Sequence, residues 1–269
     1  MIKLNKTLKK VKGGLTMSQK ASYTKINSEM WDEWASAGGE WSLAINHQDF
    51  VKATEGNFDI YLTPCKPVPH NWFIPFKKAK ILGLASGGGQ QCPVFAAQHA
   101  EVTVFDYSDK QLELEKMVST REGYSIDLVK GDMSETFPFE DETFDMIFNP
   151  VSNCYIQDVE HVWQECFRVL KKGGVLLSGF ANPALYLFGE DEKELQVVNK
   201  LPYDGTKNTV ENDEELIKNG GVQFSHSLET QIGGQLKAGF TLQDLYEDHH
   251  HKGKITEYMP CYIATKSIK

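Results

Sequence analysis

Residues 81–89 read Ile-Leu-Gly-Leu-Ala-Ser-Gly-Gly-Gly, and this stretch decides the fold. The apolar run predicts a buried strand. The glycines predict a sharp turn into a helix, where a ligand can approach the backbone closely. The dinucleotide pattern G-x-G-x-x-G fails in both registers, because its third position holds Cys92 or Gln90. The Gly-Lys-Ser/Thr end of a phosphate-binding loop is also missing, so the turn predicts a ligand site of another kind.

Short apolar runs alternate with helical patterns from residue 80 to 180, which predicts βα repeats and a mostly parallel sheet. Strands are predicted at 81–84, 102–105, 126–129, 144–148, from 175 onward, at 240–242 and at 262–264. Helices are predicted at 93–99, 108–121, 159–170 and 227–238, with Gly173 and Gly174 ending the third. The spacing of Ser108 and Gln111 is that of a capping box.

Two regions lie outside these repeats. Residues 21–76 are rich in Trp and Pro and predict an N-terminal cover, helical at first and then looped. Residues 182–222 are polar with no strong periodicity, which predicts an insertion after the fifth strand. With the core at 80–180 and a last helix and strands at 226–269, we expect residues 17–269 to form a single domain.

The first sixteen residues carry five lysines and no acid. Their scattered apolar residues do not fit the apolar core of a signal peptide. The codons for Lys12, Gly13 and Gly14 can form a purine-rich ribosome-binding site just ahead of Met17. We therefore expect Met17 to be the true start and residues 1–16 to be a disordered or artefactual extension.

Composition excludes several classes of protein. The 269 residues include 28 Lys+Arg and 37 Asp+Glu, a net charge of −9, which argues against a nucleic-acid partner. No apolar stretch approaches the roughly 20 residues needed to cross a bilayer, so no membrane association is expected. Five dispersed cysteines without a Cys-x-x-Cys pair indicate reduced thiols and a cytoplasmic protein. The consecutive histidines 249–251 cannot all face one ion. They predict a solvated loop, and no metal site is expected.

Four motifs in order resemble the class I S-adenosylmethionine-dependent methyltransferases, in the small-molecule branch called type 11. They are the stretch 81–89, Asp106 ending the next strand, Gly131-Asp132-Met133, and Leu170-Lys171-Lys172-Gly173-Gly174. The resemblance implies a Rossmann-like, doubly wound α/β sheet of seven strands, mostly parallel with one antiparallel strand. It also implies S-adenosylmethionine as cofactor, S-adenosylhomocysteine as product and a small-molecule methyl acceptor. It does not indicate the oligomeric state.

The resemblance also implies the cofactor-binding residues. Asp106 would accept hydrogen bonds from the ribose hydroxyls, and Asp132 would accept one from the adenine amine. The full set is Ala85, Ser86, Gly87, Gly88, Gln91, Asp106, Tyr107, Gln111, Gly131, Asp132, Met133, Asn149, Pro150 and Val151. The sequence departs from the family at two positions: Gly83 stands where an acid is usual, and Ala85 stands where a Gly is usual. Another group must therefore replace that acid.

Methyl transfer is an in-line displacement that mainly requires alignment and exclusion of water, so no catalytic residue is indicated. The predicted substrate contacts are Tyr155, Trp41, Trp72 and His226. Each tryptophan also fits a packing role, and His226 fits a surface or capping role.

Other functions remain open. Asn149-Pro150 matches half of the Asn-Pro-Pro-Tyr signature of amino-group methyltransferases acting on a nucleobase or glutamine, but Val151 and Ser152 complete it differently. A non-catalytic module that binds S-adenosylmethionine is a further alternative. A dehydrogenase is disfavoured by the failed dinucleotide pattern.

Overall fold

The protein is described by a computed structural model covering residues 17–188, 195–207 and 220–269. The expectation for residues 1–16 lies outside the described residues, as do parts of the predicted insertion at 189–194 and 208–219. In the described part of the chain, no helix is both long and apolar enough to span a membrane.

Seven strands form one sheet in the order β3-β2-β1-β4-β5-β7-β6. The strands are β1 Lys80–Leu84, β2 Glu101–Asp106, β3 Asp127–Lys130, β4 Phe144–Asn149, β5 Leu170–Ala181, β6 Thr241–Asp248 and β7 Tyr262–Ile268. Strand β7 runs antiparallel to both of its neighbours, and the other pairs are parallel. The predicted Rossmann-like seven-stranded sheet is confirmed.

The helices cover both faces of the sheet. They are α1 Met17–Ser36, α2 His47–Thr54, α3 Cys92–Ala97, α4 Asp109–Glu122, α5 Val159–Val169 and a last helix, Gly234–Ala238, that continues a π-helical segment, Glu229–Gly233. Alternation along β1 sends Ile81 into the core beside α3 and sends Leu82 and Leu84 into the core beside α5. This two-sided burial explains why the strand reads as a continuous apolar run.

Chain order reverses across β1, because β2 and β3 lie on one side of it and β4 on the other. Such a reversal leaves a crevice beyond the carboxyl ends of the central strands, where ligands bind in open α/β sheets. The glycine-rich turn after β1 opens directly onto it.

Two predicted boundaries are wrong. Helix α5 ends at Val169 rather than at Gly173-Gly174, because Leu170 is already extended and pairs with Phe144 of β4. Gly173, at φ +78°, instead lies within β5. Strand β6 extends to Asp248, well past residue 242. It lies at the sheet edge, where mostly exposed side chains hide the apolar alternation.

Candidate active site

A cavity of about 1300 Å³ lies beyond the carboxyl ends of β1, β2, β4 and β5. One part, here called the acidic half, is formed by residues 85–87, 105–108 and 131–133. The other part, here called the aromatic half, is formed by residues 150–152 and 154–156 together with Ala181, Leu185, Tyr186, Phe188, Val198, Tyr203, Gln223, His250 and Tyr262. Helix α1 and the segment 40–45 border the cavity from the N-terminal side.

The glycine-rich turn places its backbone against the cavity. Ala85, Gly87 and Gly89 have φ values of +44°, +79° and +78°, in the left-handed region that glycine adopts most easily. Ala85 adopts this conformation despite its Cβ, and its N–H donates to the Phe105 carbonyl at 2.9 Å. Ala85, Ser86 and Gly87 all line the cavity.

The lack of space beside Gly83 explains why no acidic residue stands at this position. A Cβ at Gly83 would lie 2.3 Å from the Cys92 Sγ and 2.7 Å from the Ser86 Oγ, so no side chain fits there. A different carboxyl supports the turn: Glu115 of α4 is fully buried, and its Oε1 accepts the Gly89 N–H at 2.8 Å. Burial, together with nearby Asp106, raises the pKa of Glu115 to about 8. Sequence reasoning missed Glu115, because its surroundings in the sequence are those of a charged helix face.

Asp106 ends β2 in the acidic half. The Ser108 N–H donates to its Oδ1 at 2.9 Å, and the N–H groups of Tyr107 and Gly87 also bond to it. Burial raises its pKa to about 6 in spite of these bonds, and the charge of Asp32 adds to the rise. The carboxylate is therefore ionised at neutral pH and held in place by the backbone.

The next strand supplies Asp132, which also lines the acidic half. Its Oδ1 accepts the Ser134 N–H at 2.8 Å. Tyr107, Gly131 and Met133 line the same region. Gly131 is required there, because a Cβ would lie 2.3 Å from the Phe105 ring. The ends of β1, β2 and β3 thus bring together most of the residues predicted to bind the cofactor.

Gln111 lies in the first turn of α4 and also borders the cavity. The Ser108 Oγ accepts its N–H at 3.1 Å, as the capping pattern predicts, while its side-chain Nε2 donates to the Ser42 Oγ at 2.8 Å. Its buried Oε1 has no hydrogen-bond partner among the described residues, although Gln111 borders the cavity. Gln91 also lines the cavity and donates to the Tyr61 carbonyl at 3.3 Å.

Two predicted cofactor residues stand behind the cavity wall. Gly88 packs against α4, where a Cβ would lie 2.4 Å from the Gln111 Oε1. Asn149 is fully buried; its Nδ2 donates to the Leu84 carbonyl and the Ser152 Oγ. Neither residue lines the cavity, so the structure gives no direct support for their predicted contact with the cofactor. Pro150 and Val151, the next residues, do line it.

Two predicted substrate contacts lie elsewhere. Trp72 is buried, and its Nε1 donates to the Asp244 Oδ2 at 3.0 Å in the core under β6. His226 is also buried, and its Nε2 donates to the Ile156 carbonyl at 2.8 Å. Neither residue lines the cavity, so both predictions are corrected to structural roles. Tyr155 and Trp41 do line it.

The histidine loop contributes a residue that sequence reasoning missed. His250 lines the cavity, with its ring centroid 6.4 Å from that of Trp41 and 5.9 Å from that of Tyr262. Burial lowers its pKa. The prediction of a wholly solvated loop is therefore wrong at this position.

Comparison with known proteins identifies the family. A family model described as a methyltransferase domain matches residues 82–178. The uncharacterized methyltransferase YbaJ of Bacillus subtilis is 44% identical over 250 residues, covering 90% of this chain and 97% of that protein. The chain belongs to the class I S-adenosylmethionine-dependent methyltransferases.

Two further comparisons are consistent with this family, one with a protein sequence and one with a solved structure. A ubiquinone biosynthesis O-methyltransferase of Chelativorans sp. (strain BNC1) is 29% identical over 115 residues, covering 43% of this chain and 45% of that protein. A crystal structure of an S-adenosylmethionine-dependent methyltransferase from Mesorhizobium loti has a TM-score of 0.58 at 16% identity, covering 74% of this chain and 94% of that one. At that identity, the second likeness supports the fold alone.

The acidic half fits the cofactor of this methyltransferase, S-adenosylmethionine. Two carboxylates at neighbouring strand ends suit ribose hydroxyls and an exocyclic amine as hydrogen-bond donors. In the left-handed glycine-rich turn, Gly87 lines the cavity with its backbone alone.

Proposed function

We propose that this methyltransferase transfers a methyl group to a small-molecule nucleophile by in-line displacement. The acidic half holds the cofactor, and the aromatic half holds the acceptor. The observation that carries this proposal is that both halves belong to one continuous cavity. A nucleophile in the aromatic half can therefore reach a cofactor in the acidic half without passing through solvent.

The proposed cofactor contacts are those that the family resemblance implies, and the chemistry of the lining is compatible with them. Asp106 accepts hydrogen bonds from the ribose hydroxyls, and Asp132 accepts one from the adenine amine, with Tyr107 and Met133 packing on the nucleoside. The turn at residues 85–87 lies along the methionine part. The bound cofactor supplies a methyl group already activated on a sulfonium, so the chain's work is to align the acceptor and exclude water.

The lining favours a small acceptor over a nucleic acid. Lys52 is the lining's one Lys or Arg within the ranges 17–188, 195–207 and 220–269, and it pairs with Asp49 at 2.6 Å. Binding of a phosphate backbone depends on several such cations. The side chain of Asn149 is fully buried and its Oδ1 accepts the Ser178 hydroxyl at 3.1 Å, which counts against its holding a substrate amine as the amino-group alternative requires.

Calorimetry tests the cofactor half of the proposal. S-adenosylmethionine and S-adenosylhomocysteine are expected to bind, and NAD is not. Asp106→Ala should weaken binding by about 1–3 kcal/mol, the loss of charge-assisted hydrogen bonds. Asp109→Ala, which removes an exposed carboxylate on α4 that pairs with Lys130, is the matched control. Preferred binding of NAD, or equal losses in both variants, would contradict the assignment.

Radiolabelled S-adenosylmethionine tests the acceptor half. The protein is incubated with a cell extract separated by size into metabolites, RNA and proteins. Label is expected in the metabolite fraction. Label confined to RNA or protein would overturn the small-molecule proposal without affecting cofactor binding.

A further inference from the structure

Aromatic side chains form much of the lining of the aromatic half. Tyr155 lies edge-to-face against Trp31, with ring centroids 5.6 Å apart and an interplanar angle of 83°. Tyr186 stacks on Tyr203 at 5.5 Å. The apolar remainder of this lining comprises Val151, Ile156, Leu185, Phe188 and Val198. Rings so arranged pack best against another flat ring, by stacking and by edge-to-face contact.

Among the residues that the structure describes, the charged side chains that line the cavity lie outside the aromatic half. Asp106 and Asp132 belong to the acidic half, and the other charged lining residues come from the cover, at positions 40, 49, 52 and 59. Among described lining residues from 150 onward, His250 alone could carry a positive charge, and burial lowers its pKa. A charged acceptor would lose its hydration there without gaining a counter-charge from these residues.

Two tyrosine hydroxyls are available to a ligand in this half. Tyr186 donates to the Gln223 Oε1 at 2.8 Å, whereas Tyr155 and Tyr262 make no side-chain hydrogen bond to the described residues. Tyr155 and Tyr262 both line the aromatic half of the cavity. Burial raises the pKa of Tyr155 and of Tyr262, so each stays protonated at neutral pH and can donate.

We propose that the methyl acceptor is an uncharged molecule with a planar aromatic ring, and that an oxygen substituent on this ring accepts hydrogen bonds from Tyr155 and Tyr262. The inference rests on the proposed function, because it names the substrate class of the same cavity. Tyr155 and Tyr262 would then determine specificity by orienting the ring in front of the cofactor.

Ring-matched probes test this class. The protein is saturated with S-adenosylhomocysteine and titrated at neutral pH with uncharged 2-naphthol, anionic 2-naphthoate and cationic 2-naphthylmethylammonium. 2-Naphthol is expected to bind at least about tenfold more tightly than either charged analogue, since only the charged analogues bring an unpaired charge into the aromatic half. Equal or tighter binding of a charged analogue, or no measurable binding of 2-naphthol, would overturn the inference.

Variants test the two hydroxyls. Tyr155→Phe and Tyr262→Phe should each weaken 2-naphthol about 3- to 10-fold, the loss of one hydrogen bond, and leave the binding of naphthalene unchanged. Tyr258→Phe, on a side chain 68% exposed, is the matched control and should change neither. If the substitutions weaken the binding of 2-naphthol and of naphthalene equally, the hydroxyls do not orient the ligand.

Binding of S-adenosylhomocysteine itself is measured first. If the wild-type protein does not bind S-adenosylhomocysteine, the proposed function is contradicted. If it binds S-adenosylhomocysteine but not 2-naphthol, only the inferred acceptor class is overturned.

Discussion

Replacing Glu115 with glutamine tests whether a protonated carboxyl supports the glycine-rich turn. The side chain is fully buried and accepts the Gly89 N–H at 2.8 Å; its Oε2 has no partner among the described residues. Burial raises its pKa from 4.5 to about 8. At neutral pH the folded protein therefore holds a proton that the unfolded chain has released. Glutamine keeps the shape and the acceptor oxygen but cannot ionise.

The sign of the pH effect follows from this proton. Between pH 4.5 and about 8 the native state binds one more proton than the unfolded state, so the wild-type free energy of unfolding falls as pH rises, by about 1.4 kcal/mol per unit. Glu115→Gln lacks this contribution. From pH 5 to 7.5, its stability relative to wild type should rise by about 3 kcal/mol.

Urea unfolding at each pH measures this difference, because other titrating groups cancel between the two proteins. Glu113→Gln is the matched control, since it removes a 62% exposed carboxylate from the same helix. Its stability relative to wild type should stay nearly constant. If the curves of wild type and Glu115→Gln run parallel across this range, Glu115 is ionised in the folded protein and does not support the turn as a protonated carboxyl.

Three further predictions concern the cavity and its support. Affinity for S-adenosylhomocysteine should fall about tenfold per pH unit below about 6 as Asp106 takes up its proton, and calorimetry on Asp106→Asn should show no such dependence. Gly83→Ala should lower the free energy of unfolding by about 1–3 kcal/mol through its clash with Cys92. The same substitution in a Cys92→Ala background should lose much less stability, and equal losses in both backgrounds would exclude the clash. Trp72→Phe should lower stability by about 1 kcal/mol and leave the affinities for S-adenosylhomocysteine and 2-naphthol unchanged; a change in either affinity would return Trp72 to the site.

Local sequence predicts the sheet and the acidic half well. Strands β1 and β4 are buried on both faces, so their apolar runs are visible without any tertiary information. The glycine-rich turn and the carboxylates at the ends of neighbouring strands follow from the same pattern, because parallel strands bring their carboxyl ends to one edge. Asp106 and Asp132 could thus be placed in the cavity from sequence alone.

Contacts between distant residues could not be predicted. Trp72 and Asp244 lie 172 positions apart, and nothing near Trp72 in the sequence indicates that its indole N–H is bound. His226 is held by carbonyls some 70 positions earlier. Glu115 follows Glu113 on a charged helix, and only packing against the turn distinguishes it. His250 enters the cavity because β6 and β7 carry their connection up to Trp41.

A crystal structure of the complex with S-adenosylhomocysteine would show where the nucleoside binds. The ribose hydroxyls are expected within hydrogen-bond distance of the Asp106 carboxylate, and the adenine amine at Asp132. The sulfur is predicted to lie near Pro150, facing the aromatic half. A nucleoside bound away from Asp106, or a sulfur facing away from the rings, would contradict the proposed function.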